Sequence, residues 1–308
     1  MNANALSKAA LGLFWAASAL AQTGEVASPN IRVHSSLVLV PVTVIDSANR
    51  YVLGLEKQNF RVFEDDREQK IAQFSGEDAA LSVGLIFDTS GSTGTKLATA
   101  RMALLEFLKT MNAPDETFLV EFSDRAELTL GFTEDTSLVE QKLTAVRSGG
   151  LTALFDAVHL ALREMKKARN PRKALLIVSD GGDNSSVYTS KEIEELVREA
   201  DVQIYTLGVF EPYAFMGMSK EELSGPRTLS AISDQTGGRA YAASSSAELP
   251  DIAMRIGIEL RNQYLLAYSP ANAARNGSYR KVRVKVVQPE GLPGLKARWR
   301  LGYYAPSE

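Results

Sequence analysis

The stretch Gly84–Gly94, GLIFDTSGSTG, sets an apolar run against an abrupt polar end. Leu85, Ile86 and Phe87 belong to LSVGLIF, a nearly continuous apolar strand of the kind found in a sheet covered on both faces. The run stops at Asp88, hydroxyls follow at Ser90 and Ser92, and a helical pattern begins near Thr93. Two readings compete. Serine is a favoured helix cap, and an acid followed by alternate hydroxyls at a strand end can also hold a cation.

The sequence around this stretch alternates strand and helix. Leu97, Met102, Leu105 and Leu108 fit a helical stripe. TFLVEF and AELTLGF read as strands, and SLVEQKLTAV as a helix. ALFDAVHLALREMKKA is helical, with Leu154, Val158, Ala161, Leu162 and Met165 on one face. KALLIVSD and VQIYTLGVF are buried strands flanking the helix KEIEELVREA. TLSAISDQTGGRAYAA reads as helix, glycine stop and short strand, and AELPDIAMRIGIELRNQ as a closing helix. This alternation predicts right-handed crossovers and a doubly wound, mostly parallel α/β sheet of Rossmann-like type.

The flanks are β-rich. Val38, Val40, Val42 and Val44 alternate in SSLVLVPVTVID, where Pro41 predicts an edge strand or an unpaired position. FRVFEDDREQKIAQF reads as two strands around an acidic turn at Asp65-Asp66, after a short helical signal in GLEKQNF. Near the other end, QYLLAYS is a strand. YRKVRVKVVQ puts Val282, Val284 and Val286 inward and Lys281, Arg283 and Lys285 outward, and KARWRLGYYAP repeats the device with Trp299 and Leu301. The outward basic positions read as a solvated strand face. Each flank is marginal alone, so the two are expected to pack together as one small β unit. The predicted organisation is a signal peptide over 1–21, an N-terminal β segment over 31–79, an α/β domain over 80–261 and a C-terminal β segment over 262–308.

Composition narrows the function. The 308-residue chain is 45% hydrophobic and 23% charged, which is globular composition, and its net charge of -3 argues against a nucleic-acid binder. It has no cysteine and only His34 and His159, so any metal would be held mainly by oxygen. Lys8 followed by the apolar Ala9–Leu20 and by Ala19-Leu20-Ala21 reads as a secretory signal cleaved before Gln22. Export, periplasmic or extracellular, follows from that reading, with no membrane span in the mature chain.

In an open parallel sheet, ligands sit at the carboxyl ends of strands. Three loops present Asp88, Ser90 and Ser92, then Thr152, then Asp180 at that edge. Two carboxylates neutralise a divalent ion formally, and hydroxyls fill coordination positions without adding charge. This donor set suits Mg²⁺, with Mn²⁺ and Ca²⁺ as alternatives. It leaves a position that an incoming carboxylate could fill. Asp183 and Asp124 read as loop residues, Asp156 as a first-turn acid stabilised by the helix dipole, and neither histidine is assigned a catalytic role.

Asp88-Thr-Ser90-Gly-Ser92 is similar to the Asp-x-Ser-x-Ser motif of von Willebrand factor type A domains, and Thr152 and Asp180 match that family's other two metal positions in order. The resemblance covers about Leu81 to Leu260. It implies a metal-ion-dependent adhesion site formed by Asp88, Ser90, Ser92, Thr152 and Asp180. The flanks VPVTVID, GLEKQNFRVFEDDREQKI and RLGYYAP resemble bacterial exported proteins of the VWFA-related type, with Asp66 standing where a glycine is expected. The expected function is an exported, non-catalytic module that binds an unknown protein partner through a Glu or Asp side chain of that partner. The alternatives are a Mg²⁺-dependent hydrolase of phosphate or other esters, and a fold that retains the motif without using it.

Overall fold

The computed structural model describes residues 37–307 except 77, 210–219, 290 and 292–293. The expected signal peptide over 1–21, the stretch up to His34 and the cleavage site lie outside the described residues. The first strands are β1 (Val38–Ile45), β2 (Phe60–Glu64), β3 (Arg67–Gln69) and β4 (Ile71–Ser75). The middle of the chain alternates: β5 (Leu81–Asp88), α1 (Leu97–Leu108), β6 (Glu116–Phe122), β7 (Ala126–Thr133), α2 (Thr136–Ala145), α3 (Leu154–Met165) and β8 (Arg172–Ser179). It continues with α4 (Ser190–Glu199), β9 (Gln203–Gly208), α5 (Lys220–Ser233), β10 (Arg239–Ala242) and α6 (Leu249–Arg261). The last strands are β11 (Gln263–Tyr268), β12 (Tyr279–Val286), β13 (Lys296–Arg298) and β14 (Gly302–Tyr304).

The α/β part is one six-stranded sheet in the order β10-β9-β8-β5-β6-β7. Every neighbouring pair is parallel except β6 and β7. All eight residues of β5 are buried, which is why its sequence shows no alternation. Val83, Leu85 and Phe87 face α1 and α6, while Ile86 packs with α3 on the other side. From β5 the chain first moves to β6 and then returns past it to β8, so the strand order reverses beside β5. That reversal opens a crevice at the carboxyl ends of β5 and its neighbours.

The flanks form two four-stranded antiparallel sheets, β13-β1-β11-β4 and β14-β12-β2-β3. Val40, Val42 and Val44 of β1, Val62 of β2, Leu266 of β11 and Val284 of β12 share one core, so the sheets pack face to face. Strands from both ends of the chain therefore pair with one another, as expected.

Several local expectations are corrected. Met102 faces solvent; Leu97 and Leu108 are buried as expected and Leu105 is partly buried, and the rest of the buried face of α1 is Ala100, Ala103, Leu104 and Phe107. FRVFEDDREQKIAQF forms three strands, because the chain changes sheets at Lys70 between β3 and β4. β1 is an interior strand, but β13 covers only Thr43–Ile45, so the side of Pro41 away from β11 pairs with no strand. Leu301 is exposed, and Arg300 turns inward to pair with Asp201. The departure at Asp66 also has a physical account. Asp65 and Asp66 both adopt positive φ, 45° and 64°, which glycine would adopt without strain. Their carboxylates offset this: Asp65 accepts from Lys281 N at 3.0 Å, and Asp66 pairs with Arg283 at 3.1 Å.

Candidate metal centre

β5 delivers Asp88 to the crevice with its side chain fully buried. Asp88 Oδ1 accepts from Ser90 N at 2.9 Å, and Oδ2 accepts from Ser179 Oγ at 2.6 Å. Ser179 is the last residue of the neighbouring β8, and the parallel register Phe87↔Val178 sets it beside Asp88. Asp180 follows at once, and its carboxylate Oδ1 accepts from Gly182 N at 3.0 Å. Burial, and next to it the charge of Asp180, push the Asp88 carboxyl up from 3.8 to about 6. The hydrogen-bond partners of the two acids among the described residues are all uncharged.

Ser90 precedes a six-residue 3₁₀ stretch, Gly91–Lys96, and its side chain makes no capping bond. Its hydroxyl instead lies 3.0 Å from that of Ser92. The capping reading therefore fails for Ser90, and both hydroxyls are gathered beside Asp88. In the same stretch Thr93 keeps a buried hydroxyl without a partner among the described residues.

The loop that carries Thr152 is tied to its neighbours by backbone zips. Gly91 N donates to Gly150 O at 3.1 Å and Gly149 N to Thr89 O at 2.9 Å, tying the first loop to the second. Thr152 N donates to Asn184 Oδ1 at 2.8 Å, while Asn184 N donates back to Thr152 O at 2.9 Å, tying the second loop to the third. Thr152 itself is buried. The structure thus links Asp88, Ser90 and Ser92 by hydrogen bonds, sets Asp180 at the end of the adjacent strand, and ties the loop of Thr152 to the loops on either side.

The other polar residues have structural partners. Asp183 Oδ2 accepts from Phe155 N at 3.0 Å and from Ser186 Oγ at 2.5 Å, so it caps the start of α3. Asp156 accepts from Val187 N and Tyr188 N, and Asp124 accepts from Leu151 N at 2.7 Å. His159 stacks on Tyr188 with ring centres 4.1 Å apart. Among the described residues no three His, Asp or Glu side chains gather around one point, so a centre here rests on two carboxylates and hydroxyls.

Sequence reading missed Ser179 and Asn184, which orient Asp88 and Thr152. Ser179 did leave a signal, a hydroxyl directly before Asp180 at the end of an apolar run. Gly225 of α5 left none. Its α-carbon and that of Gly181 approach so closely that a β-carbon on Gly225 would lie 2.0 Å from Asp180 O, and one on Gly181 2.4 Å from Gly225 O. Gly181 also adopts φ +81°. The loop that carries Asp180 therefore rests directly on α5.

Residues 83–182, which contain all five residues, match the family model of the von Willebrand factor type A domain. The match, on this fold, supports a von Willebrand factor type A domain in this chain. The type A domain is the fold of a general protein-interaction and adhesion module. Among solved structures, a von Willebrand factor type A protein from Catenulispora acidiphila superposes with a TM-score of 0.51 at 13% identity, covering 89% of this chain and 74% of that one. Proximal thread matrix protein 1 from the mussel byssus superposes with a TM-score of 0.50 at 19% identity, covering 64% of this chain and 51% of that one. Both likenesses bear on the fold. An uncharacterized protein of Borreliella burgdorferi is 24% identical over 185 residues, covering 53% of this chain and 54% of that relative's length. The chain therefore spans about half the length of the curated relative it matches. Among the described residues no helix is long and apolar enough to cross a membrane.

Proposed function

We propose that this chain is an exported protein-binding module whose type A domain binds a partner through a divalent cation, Mg²⁺ in the first instance and Mn²⁺ or Ca²⁺ as alternatives. The observation that supports it is the pair Asp88 and Asp180. Two carboxylates meet at a buried strand edge, one of them fully buried, with only uncharged hydrogen-bond partners among the described residues. A divalent cation would relieve that repulsion. The residues fit such an ion by type: Asp88 and Asp180 supply charge, while Ser90, Ser92 and Thr152 supply neutral oxygens.

The chain's own residues divide the work. Ser179 and the Ser90 amide orient Asp88, and Asn184 holds the Thr152 backbone. The ion, when bound, supplies an electrophilic position for an oxygen ligand. With few charged donors around it, the site favours a partner that brings its own Glu or Asp. Export follows from the signal-like segment 1–21.

The test is calorimetric titration of the purified chain with Mg²⁺, followed by capture of binding proteins from the exported fraction in Mg²⁺ and in EDTA. Saturable Mg²⁺ binding that is lost in Asp180→Ala, together with EDTA-sensitive capture, is the expected result. Absence of Mg²⁺ binding refutes the reading. Robust Mg²⁺-dependent turnover of phosphate or carboxylic esters, lost in the same variant, would replace it with the hydrolase.

A further inference from the structure

β13 and β14 are two halves of one stretch that changes sheets. Gly302–Tyr304 pairs with Tyr279–Lys281 of β12, and Lys296–Arg298 pairs with Thr43–Ile45 of β1 in the facing sheet. The crossing is pinned at Val282, whose carbonyl accepts from Trp299 Nε1 at 2.9 Å and whose amide donates to Leu301 O at 2.8 Å. Beyond Val282, β12 runs on to Val286 with β2 on one side and, among the described residues, no strand on the other. β13 is likewise the outermost strand of its own sheet. The two edges diverge like a fork.

The fork presents free backbone groups. Along an antiparallel strand, alternate residues direct their N–H and C=O to opposite sides. Lys281 O accepts from Asp65 N, and Val287 N donates to Asn59 O, so odd-numbered residues of β12 face the β2 side. Val284 and Val286 therefore direct their amides and carbonyls into the fork. The groove there has a volume of about 580 Å³ and a floor that includes Val286, Leu295 and Trp299. Among the described residues four cations line it, Arg283 and Lys285 from one edge and Lys296 and Arg298 from the other, and none of the described lining residues is acidic. Of the four, Arg283 is engaged outside the groove, by exposed Asp66.

We propose that this fork binds an extended, acidic segment of another protein, which adds a strand to the free edge of β12. The unpaired backbone favours a polypeptide over a generic polyanion, because a strand alone satisfies alternating donors and acceptors. The apolar floor and cationic rim then select a segment that alternates apolar and acidic side chains. Arg283–Val286 is an edge of roughly 13 Å at ~3.3 Å per residue, so the added strand is short. The lysines serve twice: they discourage edge-to-edge pairing between copies of this chain, and they choose the charge of the guest. This groove is built by the β sheets, apart from the cation site, and stands independently of the function proposed above.

The test uses a fluorescently labelled short peptide alternating glutamate and valine, titrated with the purified chain in EDTA so that the cation site contributes nothing. Saturable binding is expected, with Val284 and Val286 amides gaining protection from hydrogen exchange. Lys285→Glu combined with Lys296→Glu should weaken it by about tenfold or more; both side chains are exposed, and an unchanged urea midpoint verifies the fold. The same peptide N-methylated at alternate residues should not bind. No saturation at millimolar peptide, equal binding of the N-methylated peptide, or tighter binding of a sulfated oligosaccharide that displaces the peptide would each overturn the proposal.

Discussion

Asp88→Asn separates a cation site from a merely buried acid, because the two predict opposite orders of stability. Burial and Asp180 raise the Asp88 carboxyl from 3.8 to about 6, about two pK units. At about 1.4 kcal/mol per unit, ionised Asp88 destabilises the metal-free fold by about 3 kcal/mol at pH 7.5. Asparagine removes the charge at nearly constant volume. Its carbonyl still accepts from Ser90 N, but the bond from Ser179 Oγ must reverse direction, and Gly181 N already donates to that hydroxyl at 3.0 Å. Re-forming that bond should cost about 1 kcal/mol. The net expectation in EDTA is a variant more stable than the parent by about 1–2 kcal/mol. In Mg²⁺ at about a hundredfold over its dissociation constant, the parent gains about 2.7 kcal/mol and the variant nothing. The order of the two proteins therefore inverts. Urea unfolding at pH 7.5 in EDTA and in Mg²⁺ measures all four values. A variant less stable than the parent in EDTA, or stabilised equally by Mg²⁺, refutes the reasoning.

Three further outcomes follow from particular contacts. Because the Asp88 carboxyl is raised in the fold, its contribution is fully present below pH 3.8 and is lost as pH rises through about 6; in EDTA, the stability of the parent relative to Asp88→Asn should fall across that window, as urea midpoints at successive pH values will show. Gly225→Ala places a β-carbon 2.0 Å from Asp180 O, so calorimetry should find Mg²⁺ binding weakened and urea unfolding a loss of about 1–3 kcal/mol, whereas alanine for glycine in an unobstructed helix stabilises. Arg280 and Glu64, both almost fully buried, pair at 3.0 Å; Arg280→Leu should destabilise by about 3–5 kcal/mol, and adding Glu64→Gln should recover part of that in the same urea assay.

What could be read in advance depended on whether its cause was local. Strand and helix periods are local, so the alternation of the α/β region and the inward Val282, Val284 and Val286 were visible. So was the polar end of β5, because a fully buried strand that breaks into Asp88, Ser90 and Ser92 has few other uses for that pattern. Met102 was wrongly assigned to the buried stripe of α1 because a long apolar side chain on a solvent face looks the same in sequence as one in a core. The sheet changes at Lys70 and at Trp299–Leu301 were invisible, since they depend on which remote strand is available to pair.

The five residues of the candidate centre, and their order along the chain, are properties of the sequence alone. How their loops are held beside one another is a property of the fold. The register of β5 against β8 puts Ser179 on Asp88, the zips through Gly150 and Asn184 tie the Thr152 loop to its two neighbours, and Gly225 seats the Asp180 loop. A hydroxyl becomes a partner of a carboxylate only when two strands are aligned, and alignment is set by contacts between residues some ninety positions apart. The same reason hides the fork between β12 and β13: an unpaired edge exists only relative to the strand that has left it.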